Sequence, residues 1–310
     1  MFTDLIRNIR LRNRIAIARA ISLVEDERDS NNEILSNLFP YTGKAYRIGI
    51  TGPPGAGKSS ITNELIRLFR DSGKSVAVIS VDPSSPFTGG ALLGDRIRMI
   101  NHHNDENVFI RSMASRGGQG GLANKTKEVA DIFDAAGYDI ILFETVGVGQ
   151  VELDVMQATD TVLVILVPES GDDIQMMKAG LMEIAHIFVI NKSDREGSNK
   201  LFTTLNSVLH SIPVQKNNWY PDVIKTTATN GDGLPDLFSA INKHRTHIVD
   251  TGLWKSNLDM RYQRQVKESV SHMLESTFWG YNHSAMEEEM KKPHDKRKPP
   301  YKLAESLISQ

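Results

Sequence analysis

Between an apolar run, Arg47–Thr51, and a helical pattern, Lys58–Asp71, the chain reads Gly52-Pro-Pro-Gly55-Ala56-Gly57-Lys58-Ser59-Ser60. Few folds accommodate a strand that breaks into glycines and re-enters as a helix at Lys-Ser. The glycines let consecutive backbone N–H groups turn inward around an anion, and the helix N-terminus adds its positive end. The pattern predicts a phosphate cradle in which Lys58 neutralises the β and γ phosphates of a nucleotide and the Ser59 hydroxyl ligates Mg2+. Gly52, Gly55, Ala56, Gly57, Lys58, Ser59 and Ser60 are expected to line it. The alternative is a glycine-rich turn that binds nothing; the lysine, the serine and both flanking elements stand against it.

The rest of the chain has the periodicity such a loop needs. Short runs rich in Ile and Val recur at Ser75–Val81, Asn107–Ser112, Tyr138–Thr145, Thr161–Pro168, His186–Asn191 and Val223–Ala228. Helical patterns lie between most of them, at Leu122–Ala136, Asp173–Glu183 and Gly233–Ile241 among others. Strands alternating with helices, several of them apolar on both faces, predict an α/β fold: a P-loop NTPase with a mainly parallel central sheet flanked by helices. Ahead of Tyr46, Leu11–Val24 and Ile34–Leu38 have helical spacing and form a helical preface. After about Arg245 the strand signals stop. Asn257–Phe278 then carries a narrow apolar stripe, Leu258, Tyr262, Val266, Val270 and Leu274, which packs either on its own domain or on a partner helix. A last short helix is expected at Tyr301–Ile308. The expected division is an N-terminal helical segment (1–43), a nucleotide domain (44–245) and a C-terminal helical extension (246–310).

Two further motifs lie where a nucleotide would need them. Strand Tyr138–Thr145 ends in Glu144-Thr-Val-Gly147, which puts a carboxylate and then a glycine at the carboxyl edge of the sheet, where ligands of open α/β sheets bind. Glu144 is expected to reach the Mg2+ shell and the Gly147 amide to sense the γ-phosphate. Strand His186–Ile190 runs into Asn191-Lys192-Ser193-Asp194. A carboxylate at Asp194 accepts two hydrogen bonds from the N1–H and N2–H2 edge of guanine, which adenine does not offer, while Asn191 braces the loop and the Lys192 stem covers the base. Thr227-Ala228 supplies a backbone amide for guanine O6. GTP and GDP are therefore the expected ligands, with Mg2+. Asp82 and Asp95 bracket a loop rich in Pro, Ser and Gly; both are expected near the metal, although Asp82 also suits a plain turn before Pro83. Lys58, Asp95 and Glu144 are the expected catalytic groups, and Ser59, Asp82, Asp95 and Glu144 the expected metal ligands.

Bulk properties exclude other classes. A formal charge of −2 over 310 residues gives no basic field, so a nucleic-acid backbone is not an expected partner. Without cysteine there is no disulfide framework, thiolate zinc site or iron–sulfur cluster, which fits a cytoplasmic protein. No stretch within Met1–Ser22 approaches a membrane span, and no membrane partner is expected. The arginines there, Arg7, Arg10, Arg12, Arg14 and Arg19, also suit a transit peptide, against which Asp4 and the absence of a serine-rich composition speak.

Longer strings carry a family likeness. Val81-Asp-Pro-Ser-Ser, Thr88-Gly-Gly, Leu93-Gly-Asp95-Arg-Ile-Arg-Met99 and Tyr138-Asp-Ile-Ile-Leu-Phe-Glu144-Thr-Val-Gly-Val-Gly-Gln150 resemble the methylmalonyl-CoA mutase-associated GTPases, the bacterial MeaB proteins and their mitochondrial MMAA relatives. The likeness begins near Ile15, and Pro300-Tyr301 with Ala304-Glu305 is similar to the family's C-terminal helix. The resemblance implies a homodimeric GTPase, with the C-terminal extension as its dimerisation arm. It also implies binding to a cobalamin-dependent acyl-CoA mutase, gating of adenosylcobalamin delivery, and removal of inactivated cofactor. Glu169–Gly180 resembles the extra switch that couples nucleotide state to the mutase, while Arg111–Gly117 and Trp254–Met290 depart from the family pattern. No D-x-H-x-x-G string is present, so the corrinoid is expected on the partner. Two other readings share the P-loop: a kinase or ATPase tied to basic amino-acid transport, which Asn191–Asp194 opposes, and a metallochaperone GTPase, which would carry His or Cys sites.

Overall fold

The structure is a computed structural model that describes residues 2–26, 31–82, 102, 104–114, 119–147, 149–169, 181–211 and 219–309, with backbone only at 31, 82, 114, 119–124 and 150–152. It divides into two compact units, Met1–Trp254 and Lys255–Gln310.

The first unit opens with α1 (Thr3–Arg10), α2 (Arg14–Glu25) and α3 (Asn31–Leu38), followed by a 3-10 turn at Phe39–Tyr41. Strand β1 (Tyr46–Thr51) then leads into α4 (Lys58–Asp71), β2 (Val76–Asp82) and β3 (Val108–Ala114). Next come α5 (Gln119–Ala135), β4 (Ile140–Thr145), α6 (Gln150–Met156), β5 (Thr161–Leu166) and β6 (Ile187–Ile190). The unit closes with α7 (Ser198–Ser211), β7 (Asp222–Lys225) and α8 (Leu234–Asp250). The seven strands form one parallel sheet in the order β3-β2-β4-β1-β5-β6-β7. All seven expected strands are present to within a few residues.

Side chains alternate across this sheet, as the two-residue strand period requires. Ile48, Ile50, Val78, Leu142, Leu163 and Val189 join Ile61 and Leu65 of α4 and Leu237 and Ile241 of α8 on one face. Ile79, Phe143, Val164 and Phe188 meet Ile17 and Ile21 of α2 and Val129 and Phe133 of α5 on the other. Burial on both faces is what a parallel sheet needs.

The central strand breaks the apolar rule at Arg47, which is buried at 4% exposure. Its guanidinium reaches Asp131 at 2.7 Å and Asp134 at 3.2 Å, both on α5. The Asp134 carboxylate also accepts the backbone N–H groups of Gly43, Lys44 and Ala45 at 2.8–3.0 Å. One acidic side chain thus ties the end of the preface to β1, and its charge is matched by a cation and three amides. Arg12 and Arg14 dock the preface a second way: Arg12 donates to the carbonyls of Ala136 and Gly137, and Arg14 to that of Val108.

At the amino edge of the sheet, His186 accepts the Val162 N–H through Nδ1 at 3.0 Å. His244 Nδ1 lies 2.7 Å from the Thr161 hydroxyl, and the two imidazoles lie with centroids 4.4 Å apart, tilted by 40°. Burial pushes the His186 pKa down to about 4; burial, then the neighbouring His186 and His247, push His244 down to about 2. Both are neutral in the fold at pH 7, whereas an unfolded histidine protonates near pH 6.5. Their stabilisation is complete above pH 6.5 and is lost as pH falls toward the folded pKa values. Between pH 7 and pH 5 each histidine should cost about 2 kcal/mol. Urea unfolding at pH 7, 6 and 5 checks this: the midpoint should fall steadily, and His186→Gln should flatten the fall. A midpoint independent of pH would contradict it.

The second unit holds most of α9 (Leu253–Met290), a 3-10 turn at His294–Lys296 and α10 (Pro300–Ile308). Tyr262, Val266, Val270 and Leu274 of the expected stripe are exposed. The bend after α9 is fixed by Glu289, which pairs with Lys292 at 2.7 Å and accepts the Lys298 N–H at 2.6 Å.

Candidate functional site

The glycine-rich loop leaves the carboxyl end of β1 and enters α4 at Lys58. Two of its glycines are required by space as well as by backbone angle. Gly52 has φ 147°, and a Cβ there would lie 2.2 Å from the Ile165 carbonyl oxygen of β5. Gly57 caps α4 at φ 90°, and a Cβ there would lie 2.2 Å from Asn191 Nδ2. The β5 backbone at Gly52 and the Asn191 side chain at Gly57 thus approach the loop more closely than a Cβ would permit. Lys58 is buried, and its ammonium donates to the carbonyls of Gly52 (2.7 Å), Pro53 (2.9 Å) and Val146 (3.0 Å). Ala56 is buried and Ser60 is exposed on the first turn of α4.

Strand register brings the acidic group to the same place. In the sheet Glu144 is paired with Ile50 of β1 and Ser80 of β2, so it ends its strand beside the loop. Its Oε1 accepts the Ser59 hydroxyl at 2.5 Å. That bond commits the serine proton to the carboxylate and leaves the hydroxyl lone pairs for a cation, the arrangement a hard divalent ion with oxygen ligands requires. Beyond Glu144, the Gly147 carbonyl is held by the hydroxyls of Thr51 (3.1 Å) and Thr145 (3.3 Å). Asp82 closes β2 at the same edge, one residue past the Val81–Thr145 pair. Its side chain, Asp95, and residues 170–180 of the expected extra switch lie outside the described atoms.

The base-reading motif sits on the other side of β1. Asn191 leaves β6 buried, and its Nδ2 donates to the Ala56 carbonyl of the glycine-rich loop at 2.9 Å. Its Oδ1 accepts the Thr226 hydroxyl and the Ala228 N–H, both at 3.2 Å. The expected bracing role thus has a concrete form, in which one amide joins three segments. The Ala228 N–H is turned toward Asn191, so a guanine O6 would have to share that donor. Lys192 takes φ 55°, a left-handed conformation uncommon for a residue with a side chain. It lifts the chain so that Asp194 stands exposed, near the Thr227 hydroxyl at 3.4 Å, which also contacts Ser193 at 3.2 Å. Arg195, the next residue, pairs with Glu169 beyond β5. Thr51, Val146, Ser193 and Thr226 are not singled out by the sequence pattern as site residues; Val146, inside Glu144-Thr-Val-Gly147, and Ser193, inside the Asn-Lys-Ser-Asp motif, carry a local signal.

The phosphate loop, the Ser59–Glu144 pair and the Asn191–Asp194 loop therefore share one carboxyl edge. The donor set suits a purine nucleotide whose phosphates meet the loop and α4 N-terminus, with a divalent cation against Ser59 and Glu144.

Comparison with known proteins points the same way. A family model described as methylmalonyl Co-A mutase-associated GTPase MeaB matches residues 17–283. A Pyrococcus abyssi protein named as a GTPase is 44% identical over 313 residues, covering 100% of this chain and 97% of its own length. GTPase ArgK of Escherichia coli is 37% identical over 254 residues, 80% of this chain and 77% of that protein. The mitochondrial methylmalonic aciduria type A homolog of Mus musculus is 33% identical over 287 residues, 87% of this chain and 67% of that protein. A crystal structure described as an LAO/AO transport system kinase superposes over 99% of this chain and 96% of its own, with TM-score 0.75 and 26% identity.

Proposed function

The chain belongs to the methylmalonyl-CoA mutase-associated GTPase family, and from that premise we propose that it is a GTP-driven chaperone of a cobalamin-dependent acyl-CoA mutase, methylmalonyl-CoA mutase first among them. It gates adenosylcobalamin loading and protects or reactivates the mutase. The family match over residues 17–283 carries this reading. The bond from Asn191 to the Ala56 carbonyl supports it, because a base-reading loop fastened to a phosphate loop makes one guanine-nucleotide site.

In this mechanism Asp194 takes the N1–H and N2–H2 edge of guanine, and Lys58 brings its charge to the terminal phosphates. Ser59 and Glu144, with Asp82 and Asp95, would hold Mg2+, which would supply charge neutralisation to the phosphates. The Gly147 amide, on a segment whose carbonyl already bonds Thr51 and Thr145, reports the γ-phosphate to the switch that follows. Glu169–Gly180, after β5, then changes the surface offered to the mutase. The protein acts as a cytoplasmic homodimer through its C-terminal extension, whose exposed Tyr262, Val266, Val270 and Leu274 recur every four residues as an apolar stripe along one helix. The kinase description of the solved relative suggests another reaction, but Asn191–Asp194 selects guanine rather than adenine.

The test mixes this protein with the mutase encoded in the same genome, in GDP and in a non-hydrolysable GTP analogue. A complex whose stability depends on the nucleotide is expected. Asp172→Ala or Gln175→Ala should leave GTP affinity nearly intact while abolishing mutase-stimulated hydrolysis. Absence of a complex in either state, with no change in GTPase rate, would sink the chaperone reading and leave a GTPase with another target.

A further inference from the structure

The preface carries a surface that nucleotide chemistry does not use. α1, α3 and the turn at Phe39–Tyr41 enclose a half-open cleft of about 260 Å³. Phe2, Ile6 and Tyr41 line it and pack against the core, with Arg7 and Arg10 on the α1 side and Glu33 on the α3 side. The Arg10 guanidinium lies 3.8 Å from the Tyr41 ring centroid. Stacked in this way, it is held at the rim with its N–H edge available to an anion.

Charge in the preface is segregated along the chain, residues 20–43 holding five acids and one arginine. The first 19 residues hold five arginines and one acid, Asp4, in a chain of net charge −2. Arg12 and Arg14 are committed to backbone carbonyls, whereas Arg7 and Arg10 face the cleft. Exposed large apolar side chains also occur in the preface. Among the described residues of the first unit they are Leu11 (69%), Ile15 (81%), Phe39 (53%), Val146 (38%) and Val249 (54%), three of the five within the preface. A cofactor-sized ligand typically needs roughly 300–1,000 Å³, more than this cleft offers, while a single large side chain fits it.

We propose that the preface is a docking face for an acidic protein segment: one large apolar side chain enters the cleft over Phe2, Ile6 and Tyr41, and flanking carboxylates meet Arg7 and Arg10. Glu33 on the far rim orients the segment by repelling acid on its own side.

The full-length chain is titrated against a fluorescein-labelled twelve-residue peptide rich in Glu and Asp with one central Phe, read by anisotropy at low salt. Binding should weaken by about tenfold when the peptide Phe becomes Ala, and by a similar factor in the Arg7→Glu/Arg10→Glu variant. Glu33→Gln should tighten binding, an effect that damage to the fold would not produce. GDP affinity and melting temperature, both measured, should stay unchanged. No binding, or binding indifferent to the arginine reversals or to the peptide Phe, would overturn the proposal. So would tighter binding of a single-stranded oligonucleotide or of phosphatidylserine vesicles through the same arginines, which would assign the face to nucleic acid or lipid.

Discussion

Lys58→Ala should lower the GTP hydrolysis rate by about two to three orders of magnitude, the usual loss when a fixed charge facing the transferring group is removed. Phosphoryl transfer asks a protein for little covalent chemistry and much positioning, so loss of one aimed cation goes directly into the barrier. The Lys58 ammonium is aimed by three carbonyls, those of Gly52, Pro53 and Val146. Those acceptors suit a compact ammonium with three donors rather than a planar fork, so Lys58→Arg should fail nearly as badly despite keeping its charge. Single-turnover hydrolysis of radiolabelled GTP with Mg2+ measures the effect, and a melting curve separates lost charge from a collapsed loop. Wild-type turnover in Lys58→Ala would place the chemistry elsewhere.

Asp194→Asn should weaken GDP binding by roughly 10²–10⁴-fold, the range for two charge-assisted hydrogen bonds at about 1.5–3 kcal/mol each. Xanthine nucleotides should gain what guanine loses, since the carbonyl at position 2 of xanthine accepts where the guanine amino group donates. The change is confined to recognition: Asp194 is exposed, and its described protein contact is a long one from Thr227, so the fold should not suffer. Calorimetry with GDP, XDP and ADP on both proteins reads the switch. Equal affinity of the unmodified protein for ADP and GDP would defeat the guanine assignment.

Much of this site is visible in one dimension because its parts are contiguous. A glycine loop between a strand and a helix, or four residues after a strand, carries its own spacing, and the strands announce themselves by runs of Ile and Val. What the local pattern hides is pairing across the fold. Arg47 looks like a surface cation within a strand, yet it is buried against Asp131 and Asp134, which lie more than 80 residues away on α5. Asn191 reads as a loop brace, but its grip on Ala56 spans 135 residues. Helix α7 carries a weak local signal, because Leu201, Leu205 and Leu209 are its buried apolar side chains, one per turn among Thr, Ser and Asn. The stripe on α9 was legible as a stripe; what covers it depends on a second surface that local pattern does not encode.

The position of β1 has a consequence for how the chain is made. Its partners are β4 and β5, so the first edge of this innermost strand finds its partner only after Thr145 and the second only once synthesis has passed Leu166. At ~5–20 residues per second on a ribosome, Tyr46 waits roughly 6–24 s for that point. Throughout that interval a hydrophobic strand and the glycine loop behind it exist as a nascent segment with at least one edge unpaired. Translation pauses or co-translational chaperones acting before Leu166 emerges should therefore govern soluble yield more strongly than any acting later.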